Sequence, residues 1–350
     1  MTLLAETLQE IRPIDSRWID SARERQLQLT KPPGSLGRLE EIANRCVAIR
    51  KTFEITACHP LIALFAADHG VCAEGVSAYP QEVTAQMVLN FLAGGAAINA
   101  LARACDIQLQ VVDVGVASPL PSAPGLVHRR LRSGTRNFCV EPAMTEDEMH
   151  AALTAAIELA HASVADGCDL LGTGEMGIGN TTSASAIAAA LTHQPVDALV
   201  GPGAGADDAI MRRKSAAIER ALALHSAHLS DPLGVLRTLG GFEIAAMCGF
   251  VLGAAACRVP VVTDGFIATA AAALAVAISP AAGGYIFASH RSAEPGHVCF
   301  LRAIDQEPLL DLGMRLGEGT GAALGMKIIQ AAIAAFTQMA TFSSAGVSNK

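Results

Sequence analysis

Aromatic residues are scarce: one Trp, two Tyr and 11 Phe make up 4% of the 350 residues. A core built from this chain cannot rest on large rings. Its apolar mass falls to Ala, Leu, Val and Ile, which suits close packing of helices on a sheet. Basic residues are few as well, 25 Lys and Arg against 33 Asp and Glu, for a net charge of −8 with no basic run. Without clustered cations nothing neutralises a phosphate backbone, so nucleic acid is excluded as a partner. No C-x-x-C pair occurs among the nine cysteines, which are odd in number and scattered at 46, 58, 72, 105, 139, 168, 248, 257 and 299. This fits buried thiols in a reducing cytosol better than disulfides or a zinc knuckle. The first residues, Met1-Thr-Leu-Leu-Ala-Glu6, have no basic segment leading into a long apolar one. No secretory signal is read there, and a cytoplasmic protein is expected. Residues 244–257 are apolar but short, and 265–289 lack formal charge but are interrupted by Pro280, Gly283 and Gly284. A spanning helix needs about 20 predominantly apolar residues. Both stretches are read as core elements, and no membrane contact is expected.

What is present points to a large buried core: 51% of residues are hydrophobic and the mean hydropathy is +0.38. The length predicts one large domain with a smaller part. Residues 1–53 read as amphipathic helices, with Leu3, Leu4 and Leu8, then Ile14, Trp18 and Ile19, at helical spacing. Lys31-Pro-Pro-Gly-Ser-Leu-Gly37 breaks that pattern, and Ser35 is expected to cap a helix over 36–50. From 54 to 312 short apolar runs alternate with helical stretches. Strands are expected at 61–67, 108–114, 169–174, 197–200, 259–263 and 285–289. Helices are expected at 81–104, at 149–165 behind the capping box Thr145-Glu-Asp-Glu148, from 183 onward, at 233–239, at 242–257 and at 322–340. The Pro/Gly/Arg-rich stretch 118–142 shows no clear element, and 343–350 reads as a frayed polar tail. The alternation predicts an α/β fold with a doubly wound, mainly parallel sheet flanked by helices. The segments 1–53 and 313–350 would supply a smaller helical lobe. Asp68 and His69, Glu175, the loop 201–205, Asp264, and His290 with Arg291 all follow expected strands. They would meet at the carboxyl edge of the sheet, where open α/β sheets bind ligands.

Three glycine-rich stretches carry the candidate chemistry. Arg315-Leu-Gly-Glu-Gly-Thr-Gly321 places one carboxylate, Glu318, between glycines. Such a group can serve as a general base in a pocket, or it can serve the dipole of the helix that follows. Gly172-Thr-Gly-Glu-Met-Gly177 spells G-x-G-x-x-G, but no fitting ribose-binding acid closes a next strand. The match is thus a weak sign of an NAD-dependent oxidoreductase, and a packing turn accounts for it equally. The same loop opens a helix, whose free N–H groups favour an anion. Gly201-Pro-Gly-Ala-Gly205 precedes a helix carrying Lys214, which is either a phosphate clamp or a solvated surface lysine. Asp68 and His69 are too small a pair to be a metal site.

Several motifs then occur in one order along nearly the whole chain. They are Lys31-Pro-Pro-Gly-Ser-Leu-Gly37, Ala67-Asp-His-Gly70, Glu74-Gly-Val-Ser77, Pro80-Gln-Glu-Val-Thr-Ala85, Gly174-Glu-Met-Gly-Ile-Gly-Asn-Thr-Thr182, Gly240-Gly-Phe242, Asp264-Gly-Phe266, Ser289-His290, Ser292-Ala-Glu294 and Arg315–Gly321. As an ordered set they resemble the nicotinate-nucleotide:dimethylbenzimidazole phosphoribosyltransferase family of cobalamin nucleotide-loop assembly. The resemblance implies that nicotinate mononucleotide and 5,6-dimethylbenzimidazole give α-ribazole 5′-phosphate and nicotinate, in a homodimer, with no cofactor and no metal. Carried over, Glu318 is the catalytic base, and Glu175 lies beside the reacting ribose and stabilises its positive charge. The resemblance assigns the nucleotide phosphate to Gly174, Gly177, Ile178, Gly179 and Asn180 with Gly201, Gly203, Gly205 and Lys214. It places the segment Glu74–Met87, with Tyr79, Pro80 and Met87, at the border of the base pocket and brings Asp264, Ser289 and Leu316 to the substrate site. Tyr79 stands where the family pattern has serine, and Met87 where it has glutamine, which leaves the preferred base open. A non-catalytic homologue that binds a benzimidazole or its riboside is the alternative. The implied chemistry needs one base, because the leaving nicotinate departs as a neutral ring nitrogen. No pyrophosphate leaves, so Mg²⁺ is not demanded. For Glu318 a helix N-terminus would lower the pKa and an apolar pocket would raise it.

Overall fold

The computed structural model describes residues 2–203 and 205–348. Met1, Ala204 of the second glycine loop and the tail residues Asn349 and Lys350 lie outside the described residues. Three helices open the chain, α1 (Leu3–Glu10), α2 (Ser16–Gln26) and α3 (Arg38–Arg50). Thr2 and Asp15 cap the first two. Ser35 does not cap α3 as expected; Gly37 is the N-cap residue, at φ +52°. The Leu36 N–H turns instead to the Glu40 carboxylate at 3.1 Å. The buried Lys31 ammonium holds that carboxylate at 2.7 Å. The carboxylate carries a full charge and sits in the first turn, so it displaces the hydroxyl from the role.

The α/β part follows as β1 (Pro60–Ala67), α4 (Glu82–Leu92), α5 (Ala97–Cys105), β2 (Gln108–Gly115), β3 (Leu126–His128), α6 (Glu146–Ala165), β4 (Leu170–Met176) and α7 (Asn180–Thr192). It continues with α8 (Asp208–Leu224), α9 (Pro232–Leu239), α10 (Phe242–Ala256), β5 (Val261–Thr263), α11 (Phe266–Ile278), β6 (Ile286–Ala288) and α12 (His297–Ala303). The chain ends in α13 (Thr320–Gln338) and α14 (Phe342–Ala345). The six strands are all parallel, in the order β3-β2-β1-β4-β5-β6, so the winding reverses between β1 and β4. That is the doubly wound order, with its ligand crevice at the switch point.

Five local expectations are corrected. The single helix expected at 81–104 is two, because the chain turns at Gly94, φ +78°, a conformation glycine adopts without penalty. β3 lies in the stretch read as structureless; its three residues form a strand because Val111–Asp113 of β2 pair with them, which local sequence does not encode. The strand expected at 197–200 is a 3₁₀ turn, Val196–Ala198, closed by the Ala198 N–H on Pro195 O. The sheet neighbour such a strand would need is already supplied by β5. β4 runs two residues further than expected, so Glu175 is a strand residue paired with Phe65. The tail reads as frayed but is partly helical: Thr341 and Ser344 cap α14 reciprocally.

Small residues set the packing. Cβ atoms at Gly249 and Gly253 of α10 would stand within 2.9 Å of the Leu153 Cα and 2.8 Å of the Ala160 Cβ in α6. The two apolar stretches read as core are α10 and α11, both buried along nearly all their length. Two other stretches reach the length and hydropathy of a membrane span, Glu82–Cys105 and Thr320–Gln338. The first is broken at Gly94, and the second packs between α3 and strands β4 and β5.

Arg45 ties α3 to the edge of the sheet. Its guanidinium donates to the carbonyls of Gly283 at 2.7 Å, Gly284 at 2.8 Å and Ile286 at 2.5 Å, and to the Gln306 side chain at 3.0 Å. It also lies 4.4 Å from the Phe287 ring centre. Burial lowers its pKa to about 10, so it stays charged at neutral pH. Arg45→Met is expected to cost about 3 kcal/mol or more, since each bond to a charged donor contributes about 1.5–3 kcal/mol and the carbonyls are left bare. Arg45→Lys should recover less than half, because one ammonium cannot reproduce the fork. Urea unfolding of both variants measures the two costs.

Candidate active site

A cavity of about 670 Å³ opens at the carboxyl ends of the central strands. Tyr79, Val83 and Met87 line it, as do Glu175 to Ile178 with Asn180 and Thr181 at the end of β4 and the start of α7. Gly203, Glu294 and Arg315 meet at one part of the lining, and Phe266, Leu316, Gly317 and Glu318 line it too. Two surface hollows of comparable size, about 640 Å³ beside Trp18 and about 610 Å³ beside Arg302, gather no such set of buried acids.

Glu318 is held in an uncommon conformation. Its φ is +62°, between Gly317 at +88° and Gly319 at +91°. A non-glycine residue in the left-handed region stores about 1–3 kcal/mol, and such strain concentrates at working sites. The turn lies directly on β4: a Cβ at Gly174 would stand 2.6 Å from the Glu318 carbonyl oxygen. Asp264, just past β5, anchors it. That carboxylate accepts from the N–H groups of Gly319 at 2.9 Å, Gly321 at 2.7 Å and Ala322 at 3.2 Å. The dipole of α13 is therefore served by Asp264, and the alternative that gave this task to Glu318 is overturned. The Glu318 Oε2 accepts from Ile98 N–H, in the first turn of α5, at 3.1 Å. Burial raises its pKa and the Ile98 N–H opposes it; burial wins.

Glu175 carries the larger shift. Burial, then the Asp264 and Glu243 carboxylates, push it up to about 8, against a single Asn180 N–H at 2.5 Å. That shift favours the protonated acid at neutral pH while nothing of opposite charge stands beside it. Only glycine fits at 317, since a Cβ there would overlap the Glu175 Oε1. Asp264 itself is raised to about 6 by burial, partly offset by its backbone donors.

Lys214 is buried, so the solvated-surface alternative fails. Its ammonium donates to Thr181 Oγ1 and to Gly201 O, both at 3.2 Å, and burial lowers its pKa. Glu294 accepts from Gly203 N–H at 3.1 Å, and Arg315 donates to Gly203 O at 2.6 Å. This end of the cavity therefore offers two cations beside the start of α7.

Of the expected site residues, Glu318, Glu175, Gly177, Ile178, Asn180, Gly203, Tyr79, Met87 and Leu316 line the cavity. Pro80, Gly179, Gly201, Lys214, Asp264 and Ser289 are not among its lining residues, and Gly174 lies beneath the Glu318 turn. The Ser289 hydroxyl donates to Asp264 O at 3.3 Å. Gly205, at φ +111° with nothing within 4 Å of its would-be Cβ, is off the cavity. Val83 falls in the segment Glu74–Met87 expected at the base pocket and His290 at the expected sheet edge, whereas Thr181, Phe266, Glu294 and Arg315 were not assigned to the wall. Glu294 and Arg315 did sit inside recognised motifs, and Val83 lies one helical turn before Met87. The G-x-G-x-x-G match is not a dinucleotide loop. Its Gly172 lies within β4, where a Cβ would meet the Met326 side chain at 2.6 Å, so the glycine serves packing.

Residues 11–347 match a family model described as phosphoribosyltransferase. The chain is 53% identical over 350 residues to nicotinate-nucleotide–dimethylbenzimidazole phosphoribosyltransferase of Chloroflexus aggregans, covering 100% of this chain and 99% of that protein. It is 51% identical over 347 residues to the protein of that name from Geobacter metallireducens, covering 99% and 98% of the two. Among solved structures, the enzyme so named from Thermus thermophilus superposes with a TM-score of 0.90 at 48% identity, over 96% of this chain and 100% of that one.

The protonation of Glu175 has a stability consequence. Its folded-state pKa lies above the ordinary 4.5, at about 8. Between those values the folded chain holds more protons than the unfolded one, so this group's contribution to stability falls as pH rises through the window and levels off above it. Glu175→Gln removes the dependence. The variant should melt close to the wild type near pH 4.5 and increasingly above it up to about pH 8. Calorimetric melts across that range give the answer, and a constant difference would place Glu175 as ionised throughout.

Proposed function

The chain belongs to the nicotinate-nucleotide–dimethylbenzimidazole phosphoribosyltransferase family, and we propose that it transfers the phosphoribosyl group of nicotinate mononucleotide to 5,6-dimethylbenzimidazole or a related flat base in cobalamin assembly. The observation that carries this reading is Glu318: a strained, buried carboxylate of raised proton affinity, lining the same cavity as Val83 and Met87 of α4. In the proposed reaction the base's lone-pair nitrogen attacks C1′ of the ribose as the C1′–pyridinium bond breaks, and the bonding pair passes to the nicotinate nitrogen. The base's N–H proton then passes to Glu318. The Gly203 end, with Lys214 and Arg315, suits the phosphate; backbone N–H groups at the start of α7 add to it. Val83 and Met87, one turn apart on α4, with Tyr79, would sandwich the base. These residues offer shape more than hydrogen bonds, so base choice rests on fit. Glu175 loses its proton when the cationic pyridinium docks, since an opposite charge favours the anion. The anion then faces the positive charge developing on the ribose.

The reading includes a cytoplasmic homodimer in which 1–53 and 313–350 form the smaller lobe beside 54–312.

Glu318→Gln keeps the shape but cannot take the proton. Turnover should fall by about 10²–10⁴ with both substrates still bound. Nicotinate release at saturating substrate, read by chromatography, checks this; near-normal turnover would mean that another group takes the proton, and no release by the wild type would mean a non-catalytic binding role. Lys214→Ala should weaken nicotinate mononucleotide binding by about 10–100-fold through loss of one charge-assisted contact. Calorimetric titration in the slow Glu318→Gln background separates binding from turnover.

A further inference from the structure

His290 lines the cavity, and the proposed reaction gives it no task. It stands two residues past β6, and its ring is almost wholly buried. One side of the ring packs on the turn that starts α13: a Cβ at Gly321 would overlap the His290 Nδ1, so only glycine fits there. The other side lies against Gly265, a second lining residue, where a Cβ would stand 3.4 Å from Cε1 and 3.6 Å from Nε2. Nδ1 is 3.1 Å from Ser289 Oγ and 3.9 Å from Asp264 Oδ1. Among the described residues no group bonds to Nε2.

The contacts of Nδ1 assign the ring's proton. The Ser289 hydroxyl has one hydrogen and donates it to Asp264 O at 3.3 Å. Its oxygen is then an acceptor for an Nδ1–H, and the Asp264 carboxylate on the same side favours that N–H further. Burial holds the ring's pKa below the ordinary histidine value, with Asp311 as a partial offset, which favours the neutral form. Neutral and protonated on Nδ1, the ring keeps a bare lone pair on Nε2. A buried acceptor of this kind costs free energy until a donor reaches it.

The strip 290–294 is held in place by His297. Its Nδ1 accepts from the Ser292 N–H at 2.8 Å. Its Nε2 lies 2.9 Å from Thr269 Oγ1, whose own hydrogen goes to Gly265 O at 2.8 Å, so His297 donates there and ties the strip to the start of α11. The strip runs from His290, packed beside the Glu318 turn, to Glu294, which takes the Gly203 N–H. In the proposed function the first of these ends holds the reacting carbon and the second the phosphate. The ribose joins C1′ to the phosphate, so it lies along this strip. Of the nucleotide's groups, the carboxylate is ionised and the phosphate is largely a dianion near neutral pH. A lone pair repels both. The 2′- and 3′-hydroxyls are the donors that remain.

We infer that the Nε2 of His290 accepts a hydrogen bond from a ribose hydroxyl of the bound nucleotide, and thereby selects a ribonucleotide over its deoxy counterpart. The inference rests on the proposed function for the place of the nucleotide in the cavity. The base N–H is the other donor that the reaction brings, and it belongs to Glu318 there.

Calorimetric titration without any base leaves that second donor out. The wild type should bind nicotinate mononucleotide about 2–10-fold more tightly than its 2′-deoxy or its 3′-deoxy counterpart, the ordinary worth of one hydrogen bond. His290→Asn keeps an amide N–H near the Nδ1 position and removes Nε2. His290→Phe keeps the bulk of the ring and removes both nitrogens. In either variant the nucleotide should weaken by that factor, and its advantage over the deoxy counterpart should vanish. His290→Gln sets an amide near the Nε2 position and should restore part of the advantage. A purely structural role gives a different pattern, in which every ligand weakens alike and the ratio stays as in the wild type. That pattern, or a wild type that binds both deoxy counterparts as tightly as the nucleotide, overturns the inference alone. If His290→Asn does not fold, His290→Phe decides by the same ratio. A wild type that binds no nicotinate mononucleotide overturns the proposed function and this inference with it, so the two failures are told apart.

Discussion

Asp264 is the interaction on which the site depends. One buried carboxylate accepts three backbone N–H groups from the turn that starts α13. Those donors would otherwise be orphans of a helix start buried against the sheet. By taking them, Asp264 fixes the turn on β4, holds Glu318 at a positive φ and relieves it of capping α13. The same negative charge raises the proton affinity of Glu175 and of Glu318. Backbone geometry and acid–base poise at this edge of the sheet thus share one source.

The close approach behind this arrangement depends on small residues. β4 presents Gly172 to the Met326 side chain and Gly174 to the Glu318 turn, while α10 meets α6 through Gly249 and Gly253. A chain with few aromatic residues reaches a dense core by bringing backbones together rather than by filling gaps with rings. The consequence for chemistry is a low-dielectric wall within a few ångströms of polar strand ends. There burial is the largest cause moving Glu175, Asp264, Glu294 and Glu318 upward and Lys214 downward.

Alternating short apolar runs and helical stretches announced the parallel sheet, because a strand buried on both faces must be apolar throughout and must cross over through a helix. The glycine-flanked Glu318, the Glu175 loop and Lys214 were visible as types and spacings, because tight turns and buried charges demand particular residues. The family was visible from ordered motifs. Less legible were features that depend on a distant partner. β3 exists because β2 offers it an edge, and the run at 197–200 is a turn because β4 already pairs with β5.

The residues therefore determined the fold class, the acids and the cation of the site, and the strand ends where they would gather. Tertiary structure alone decided which helix each acid serves, and so which acid is free for chemistry. Asp264 and Glu318 are 54 positions apart in the chain and equally able to cap α13; only the three-dimensional turn brings Asp264 to its N–H groups and sends Glu318 to Ile98. It also decided the protonation of Glu175, since local sequence names the group but not the depth of burial or the charges that packing sets beside it.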